Sequence, residues 1–151
     1  MENPWRDTLR YLDRLQPLAL LAMRLALGII MVAHGSHKVF GGLHHHAQMV
    51  ANLGVPPWLG YVSSFTEFIG GLLILAGFFT RAAAFAVFID LFVAIWKVHW
   101  HNGLIGSPDR PGYEFAMAAA ALAFGLVFFG GGPIAIDHVL RGGGRGASLR
   151  Y

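Results

Sequence analysis

The chain of 151 residues has no cysteine. That excludes disulfides, thiol redox chemistry and thiolate metal sites at once. Charge is scarce as well: 13% of residues are Asp, Glu, Lys or Arg, where a soluble domain carries about 25%. Eight acidic residues face eleven basic ones, for a net charge of +3 and a pI near 9.7. Nucleic-acid binding would need those cations gathered on one face of a soluble domain, and no such face is written here. Strand-like alternation and internal repeats are missing too. The chain is instead 56% hydrophobic, with a mean hydropathy of +0.56. Its length suits one domain.

Four stretches, residues 18–40, 62–79, 82–100 and 113–129, are apolar and long enough to be read as crossings of a hydrocarbon core of about 30 Å. They lack a polar face wide enough for a soluble bundle. Ahead of them, residues 4–16 place Trp5, Thr8, Leu9, Leu12 and Leu15 on one helical face and Arg6, Asp7, Arg10, Asp13 and Arg14 on the other. This reads as a short amphipathic helix lying on the membrane surface. A cleaved signal peptide is the weaker reading, because Arg24 interrupts the apolar run and no small-x-small cleavage site follows.

Gly41-Gly42 ends the first span, a short helix is expected near 45–53, and Pro56-Pro57 precedes the second. Thr80-Arg81 makes the turn into the third span, a Gly- and Pro-rich loop leads to the fourth, and Gly130-Gly131-Gly132-Pro133 closes it. Residues 134–140 add one or two helical turns, and 141–151 form a basic, Gly-rich tail, flexible by composition. The expectation is an all-α protein: a four-transmembrane-helix bundle over 17–140, an interfacial amphipathic segment over 1–16, and the tail. Arg6, Arg10, Arg14, Arg81, Arg141, Arg145 and Arg150 fall at one end of such a bundle, against Lys38, Lys97 and Arg110 at the other. The excess of basic residues marks the cytoplasmic side, so both termini are expected there.

The first span is unusual. Arg24, Gly28, Met31, His34, Gly35 and Lys38 share one helical face within an otherwise apolar helix. A lone charge in lipid is costly, so this face demands partners. At the same end lie Glu67 in the second span, Lys97 and His99 at the end of the third, and Glu114 at the start of the fourth. Small residues beside them, Gly70-Gly71 and Ala118, Ala121 and Gly125, allow helices to approach closely. The expected site is therefore an outward-opening pocket built by His34, Lys38, Glu67, His99, Asn102 and Glu114, with Glu67, His34 and Lys38 as its catalytic groups. Snorkelling of the lysines and a helix-dipole role for Glu114 are the plainer readings. Arg24 is expected to pair with Asp90, since counts of about 10 Å from Pro17 and about 13 Å from Arg81 put them at similar depth. The triplet His44-His45-His46 lacks ligand spacing and accompanying carboxylates, so no metal is expected.

Several motifs together carry a resemblance. They are RLALGIIMVAHGSHKVFGG (24–42), LGVPPW (53–58), FTEFIGGLLILAGFFTRAAA (65–84), VHWHNGL (98–104), YEF (113–115) and GGGPIAID (130–137). Their order and spacing resemble the DoxX family of small bacterial membrane proteins. Arg24, His34, Lys38, Glu67, Arg81, His99, Asn102 and Glu114 occupy the family's polar motif positions, whereas Asp90 matches none. The resemblance implies a multi-pass protein of the bacterial inner membrane, and relatives tied to quinone-linked redox work: a thiosulfate:quinone oxidoreductase subunit, quinone and catechol resistance, and an oxidative-stress membrane complex.

The functional expectation is a quinone-interacting redox protein or oxidoreductase subunit. Its ligand would be a quinone or a small aromatic or anionic substrate, and a soluble or membrane redox partner would supply electrons. A quinone needs an apolar slot, donors to its carbonyls and a group that exchanges protons. The alternative is a non-catalytic anchor that assembles a partner complex. A transporter is the weakest reading, because no inverted repeat appears. Whether the chain forms oligomers is open.

Overall fold

The computed structural model describes residues 4–142, with side chains from Thr8 onward. The expected tail beyond 142 and the polar and apolar faces at Trp5, Arg6 and Asp7 lie outside the described residues. The element order is α1 (Pro4–Gly41), α2 (Leu43–Asn52), α3 (Pro57–Ala76), α4 (Thr80–Ala94), β1 (Gly106–Ser107), β2 (Arg110–Pro111), α5 (Glu114–Phe129) and α6 (Ile136–Leu140). The fold is all-α apart from the two-residue β1–β2 pairing, in which Gly106 faces Pro111 and Ser107 faces Arg110. Strands this short leave no alternation to read in the sequence.

Among the described residues, three helices are long and apolar enough to cross a membrane: Thr8–Gly41, Pro57–Ala76 and Thr80–Asn102. The last is α4 extended by a π-helical turn, Ile95–His99, and a 3₁₀ turn, Trp100–Asn102. The apolar α5 is shorter, at 16 residues, or about 24 Å. The amphipathic start is not a separate element. It is the first part of α1, which runs through Pro17 for 38 residues. Proline removes one helical hydrogen bond, but Leu15-Gln16 before it and Leu18-Ala19-Leu20-Leu21 after it favour helix strongly enough to carry the chain across.

Small residues set the helix spacing. A Cβ on Gly35 of α1 would lie 2.6 Å from Phe68 Cα, and one on Gly71 of α3 would lie 2.7 Å from Val32 N. Neither position has room for any side chain, so α1 and α3 touch backbone to backbone. Across the other face of α3, a Cβ on Gly70 would meet Val87 Cγ2 at 2.9 Å. The core is accordingly rich in alanine: Ala83, Ala84, Ala116, Ala119, Ala120 and Ala123 are buried beside Leu27, Met31, Ile74, Val87 and Leu126. Packing by small residues suits a bundle in lipid, where apolar burial between helices drives little. The turn between α3 and α4 lies at Gly77-Phe78-Phe79, before the expected Thr80-Arg81, and Thr80 already belongs to α4. Gly77 caps α3 with φ of 70°, and Phe79 takes φ of 48°, which a bulky residue rarely adopts.

Candidate functional site

The glycine contacts fix a register that decides which polar groups can meet. With Gly70 against Val87, Glu67 of α3 and Asp90 of α4 both lie one turn further toward the Lys38 end. With Gly35 against Phe68, the turn of α1 around Ser36, just before Lys38, covers the same level. Lys38 Nζ donates to Glu67 Oε1 at 2.7 Å, in an ion pair whose carboxylate side is almost wholly buried. Asp90 interacts with Glu67, with the Ser63 hydroxyl one turn above it, and with Lys38. Glu67 Oε2 and Asp90 Oδ2 are both buried and have no hydrogen-bond partner among the described residues. Three helices thus hold one ammonium and two carboxylates together within an apolar bundle. One ammonium thus faces two carboxylates where an uncompensated charge is costly.

The other expected members are dispersed around this cluster. His34 stacks on Phe115 of α5, with ring centroids 5.4 Å apart, and is exposed. Glu114 is also exposed, in the first turn of α5, where it complements the helix dipole. His99 Nδ1 and Asn102 Nδ2 both meet the Pro111 carbonyl oxygen, at 3.2 and 3.0 Å. They hold the loop between α4 and α5 closed. The expected six-residue pocket thus contracts to Lys38, Glu67 and Asp90.

Arg24 does not pair with Asp90. Its guanidinium is 2% exposed and bonds four backbone carbonyls: Nε to Ile74 O at 3.0 Å, one terminal nitrogen to Leu75 O at 2.7 Å, and the other to Gly131 O at 3.1 Å and Ile134 O at 2.6 Å. It caps the C-terminus of α3 and ties in the loop after α5. The depth estimate erred because α1 does not begin at Pro17, so distance from that proline does not measure depth. By the glycine register, Glu67 and Asp90 lie level with Ser36, about 18 Å along α1 from Arg24. Beside Arg24, Asp137 caps α4 by accepting from Phe79 N–H and Thr80 N–H, both at 2.8 Å. Burial works to raise the Asp137 pKa, but its hydrogen bonds with Thr80 and Phe79 and the nearby Arg141 outweigh it, and the net shift is downward. GGGPIAID carries this residue, but a role for it was not legible, because the cap forms 57 residues away in sequence.

A family profile for DoxX matches residues 19–100. The chain belongs to the DoxX family. Two relatives add to this. A protein of Haemophilus influenzae (strain ATCC 51907 / DSM 11121 / KW20 / Rd), named "Uncharacterized protein", is 28% identical over 130 residues, covering 84% of this chain and 94% of that one. A protein of Bacillus subtilis (strain 168), named "Putative oxidoreductase CatD", is 32% identical over 89 residues, covering 59% of this chain and 66% of that one. No solved structure matches the chain. The DoxX profile spans Arg24, Lys38, Glu67 and Asp90, so the whole cluster lies within the family's matched region.

In this DoxX protein the histidine triplet diverges along α2. His44 Nδ1 hydrogen-bonds Tyr61 Oη, while His46 Nε2 is buried with no hydrogen-bond partner among the described residues. Burial, then the Lys38 charge, then His45 lower the His46 pKa to about 4. His46 therefore stays neutral in the folded protein while the unfolded chain takes up a proton between about pH 6.5 and 4. Acidification through that window should loosen the packing of α2 on α3. In the variant Lys38→Ala, His46 should titrate above 4 but below an ordinary histidine, since burial remains. Histidine NMR in detergent reads this directly, and an unchanged value would place Lys38 elsewhere.

Proposed function

We propose that this protein is a membrane-embedded, quinone-interacting redox protein or oxidoreductase subunit, in which Lys38, Glu67 and Asp90 bind the quinone's oxygens and exchange its protons. The Lys38–Glu67–Asp90 cluster, with Glu67 buried and two buried carboxylate oxygens unpartnered among the described residues, is the observation that carries this reading. Reducing a quinone to a quinol takes two electrons and two protons. The chain lacks cysteine, so electrons are assigned to a reduced partner or substrate and proton exchange to the carboxylates. An apolar groove of about 580 Å³ lies between α3 and α4, lined by Phe65, Ile69, Gly70, Leu73 and Ala83, with Lys38, Glu67 and Asp90 outside its lining. It suits a ring and the start of an apolar tail. Family membership and the relative named as an oxidoreductase support the same class.

Topologically, we place α5 as the fourth crossing, with both termini in the cytoplasm and the cluster toward the outside of a bacterial inner membrane. The excess of arginine at the Arg24 end supports this orientation. Reporter fusions at Asn52 and Gly106 should then be active only as periplasmic reporters, and cytoplasmic activity at either would reverse the assignment. The alternative, an anchor that assembles a partner complex, treats the cluster as structural. Complementation separates the two: an anchor tolerates Glu67→Gln if the variant still accumulates, whereas a quinone-linked protein loses protection against quinone stress.

A further inference from the structure

At the end of the bundle opposite Lys38, a second cavity of about 860 Å³ opens between α1, the start of α4, the loop after α5 and α6. Its lining brings together Arg14, Arg81 and Arg141, which are far apart in sequence, beside the backbone of Gly130–Pro133. Two carboxylates, Asp13 and Asp137, and His138 also line it, so three guanidinium groups face two carboxylates. Asp13 accepts from Gln16 Nε2 at 3.2 Å, and Asp137 caps α4 and faces Arg141. Arg14 and Arg81 form no ion pair or hydrogen bond among the described residues. Arg81 lies against the loop, where a Cβ on Gly130 would meet its Nε at 3.1 Å. Gly131 is buried, and its N–H makes no backbone hydrogen bond among the described residues. The floor is apolar, with Leu20 and Phe129.

A cavity that gathers guanidinium groups over an apolar floor suits an anion with a short apolar stem. Guanidinium forks match phosphate oxygens in geometry as well as charge. An ordinary ring of cytoplasmic arginines would instead point separately into water. We infer that this cavity binds a phosphate-bearing anion, held by Arg14 and Arg81 with Arg141 at its rim. The ligand is either the headgroup of an anionic phospholipid, its first methylenes resting on Leu20 and Phe129, or a soluble phosphate. The site is separate from the Lys38 cluster and does not depend on the quinone reading.

The test uses the full chain in detergent, titrated with phosphatidylglycerol in one arm and inorganic phosphate in the other, with native mass spectrometry as the readout. Arg14→Gln and Arg81→Gln should each weaken binding about tenfold. Arg10→Gln, on α1 but outside the cavity, should leave binding unchanged. Both cavity variants remove exposed side chains without protein partners, and melting curves confirm that they fold. Binding of phosphatidylglycerol that inorganic phosphate does not displace identifies the lipid source, and arginine-dependent binding of inorganic phosphate identifies the soluble one. No binding in either arm, full affinity in both cavity variants, or an equal loss in Arg10→Gln would overturn the site.

Discussion

Arg24→Ala should remove most of the folded protein from the membrane. The side chain bonds Ile74 O, Leu75 O, Gly131 O and Ile134 O at once. All four lie at the end of α3 or in the loop after α5; Ile74 O also accepts from Gly77 N–H at 3.1 Å, whereas Leu75 O, Gly131 O and Ile134 O accept no other hydrogen bond among the described residues. Each buried carbonyl left unpaired costs about 1–3 kcal/mol, so the loss reaches a large fraction of a typical stability of about 5–15 kcal/mol. Arg24→Lys keeps the charge but has no planar fork to span two helix ends, and should recover only part of the yield. Adding Asp90→Ala to Arg24→Ala should give no rescue, since the two are not partners. Fluorescence-detected size exclusion of tagged variants measures all three. Restored yield in the double variant would return Arg24 to Asp90.

The second large effect is expected at the cluster. Glu67→Gln preserves shape but removes the partner of Lys38 and one of the two carboxylates. It should abolish protection against quinone stress in complemented cells. Asp90→Asn should reduce protection while leaving the Lys38–Glu67 pair intact, because Asp90 adds a proton acceptor rather than the ion pair. Breaking a buried pair can also destabilise by about 3–5 kcal/mol, so survival must be normalised to the protein present in the membrane. If Glu67→Gln and Lys38→Gln, at equal abundance, both protect as well as the unaltered protein, the cluster is structural and the anchor reading takes its place.

Much of this architecture was legible because it is written locally. Apolar runs marked the long helices, Gly41-Gly42 and Pro56-Pro57 marked their ends, and helical periodicity put Lys38 and Arg24 on one face of α1. The Lys38–Glu67 meeting followed from two residues near the same end of adjacent helices. What failed depended on the third dimension. Arg24 was misplaced relative to Asp90 because its depth was measured against Pro17, which α1 passes through without a break. Arg24 was given a carboxylate when four main-chain carbonyls sufficed, and backbone acceptors carry no signature in side-chain sequence. His99 and Asn102 have the chemistry of ligand donors, yet a loop carbonyl at Pro111 claims both. The single extended α1 was obscured by the proline itself, which reads as a boundary until the packing around it is known.

One titration bears most directly on the claim that the Lys38–Glu67–Asp90 cluster is a quinone site. Purified protein in lipid nanodiscs is titrated with a short-chain quinone, with quenching of tryptophan fluorescence as the signal. Saturable binding is expected in the unaltered protein, and the affinity should fall at least about tenfold in Glu67→Gln and in Lys38→Gln. His99→Gln, which only loosens the loop, should retain near-normal affinity. Equal quinone affinity in the unaltered protein, Glu67→Gln and Lys38→Gln would contradict the account.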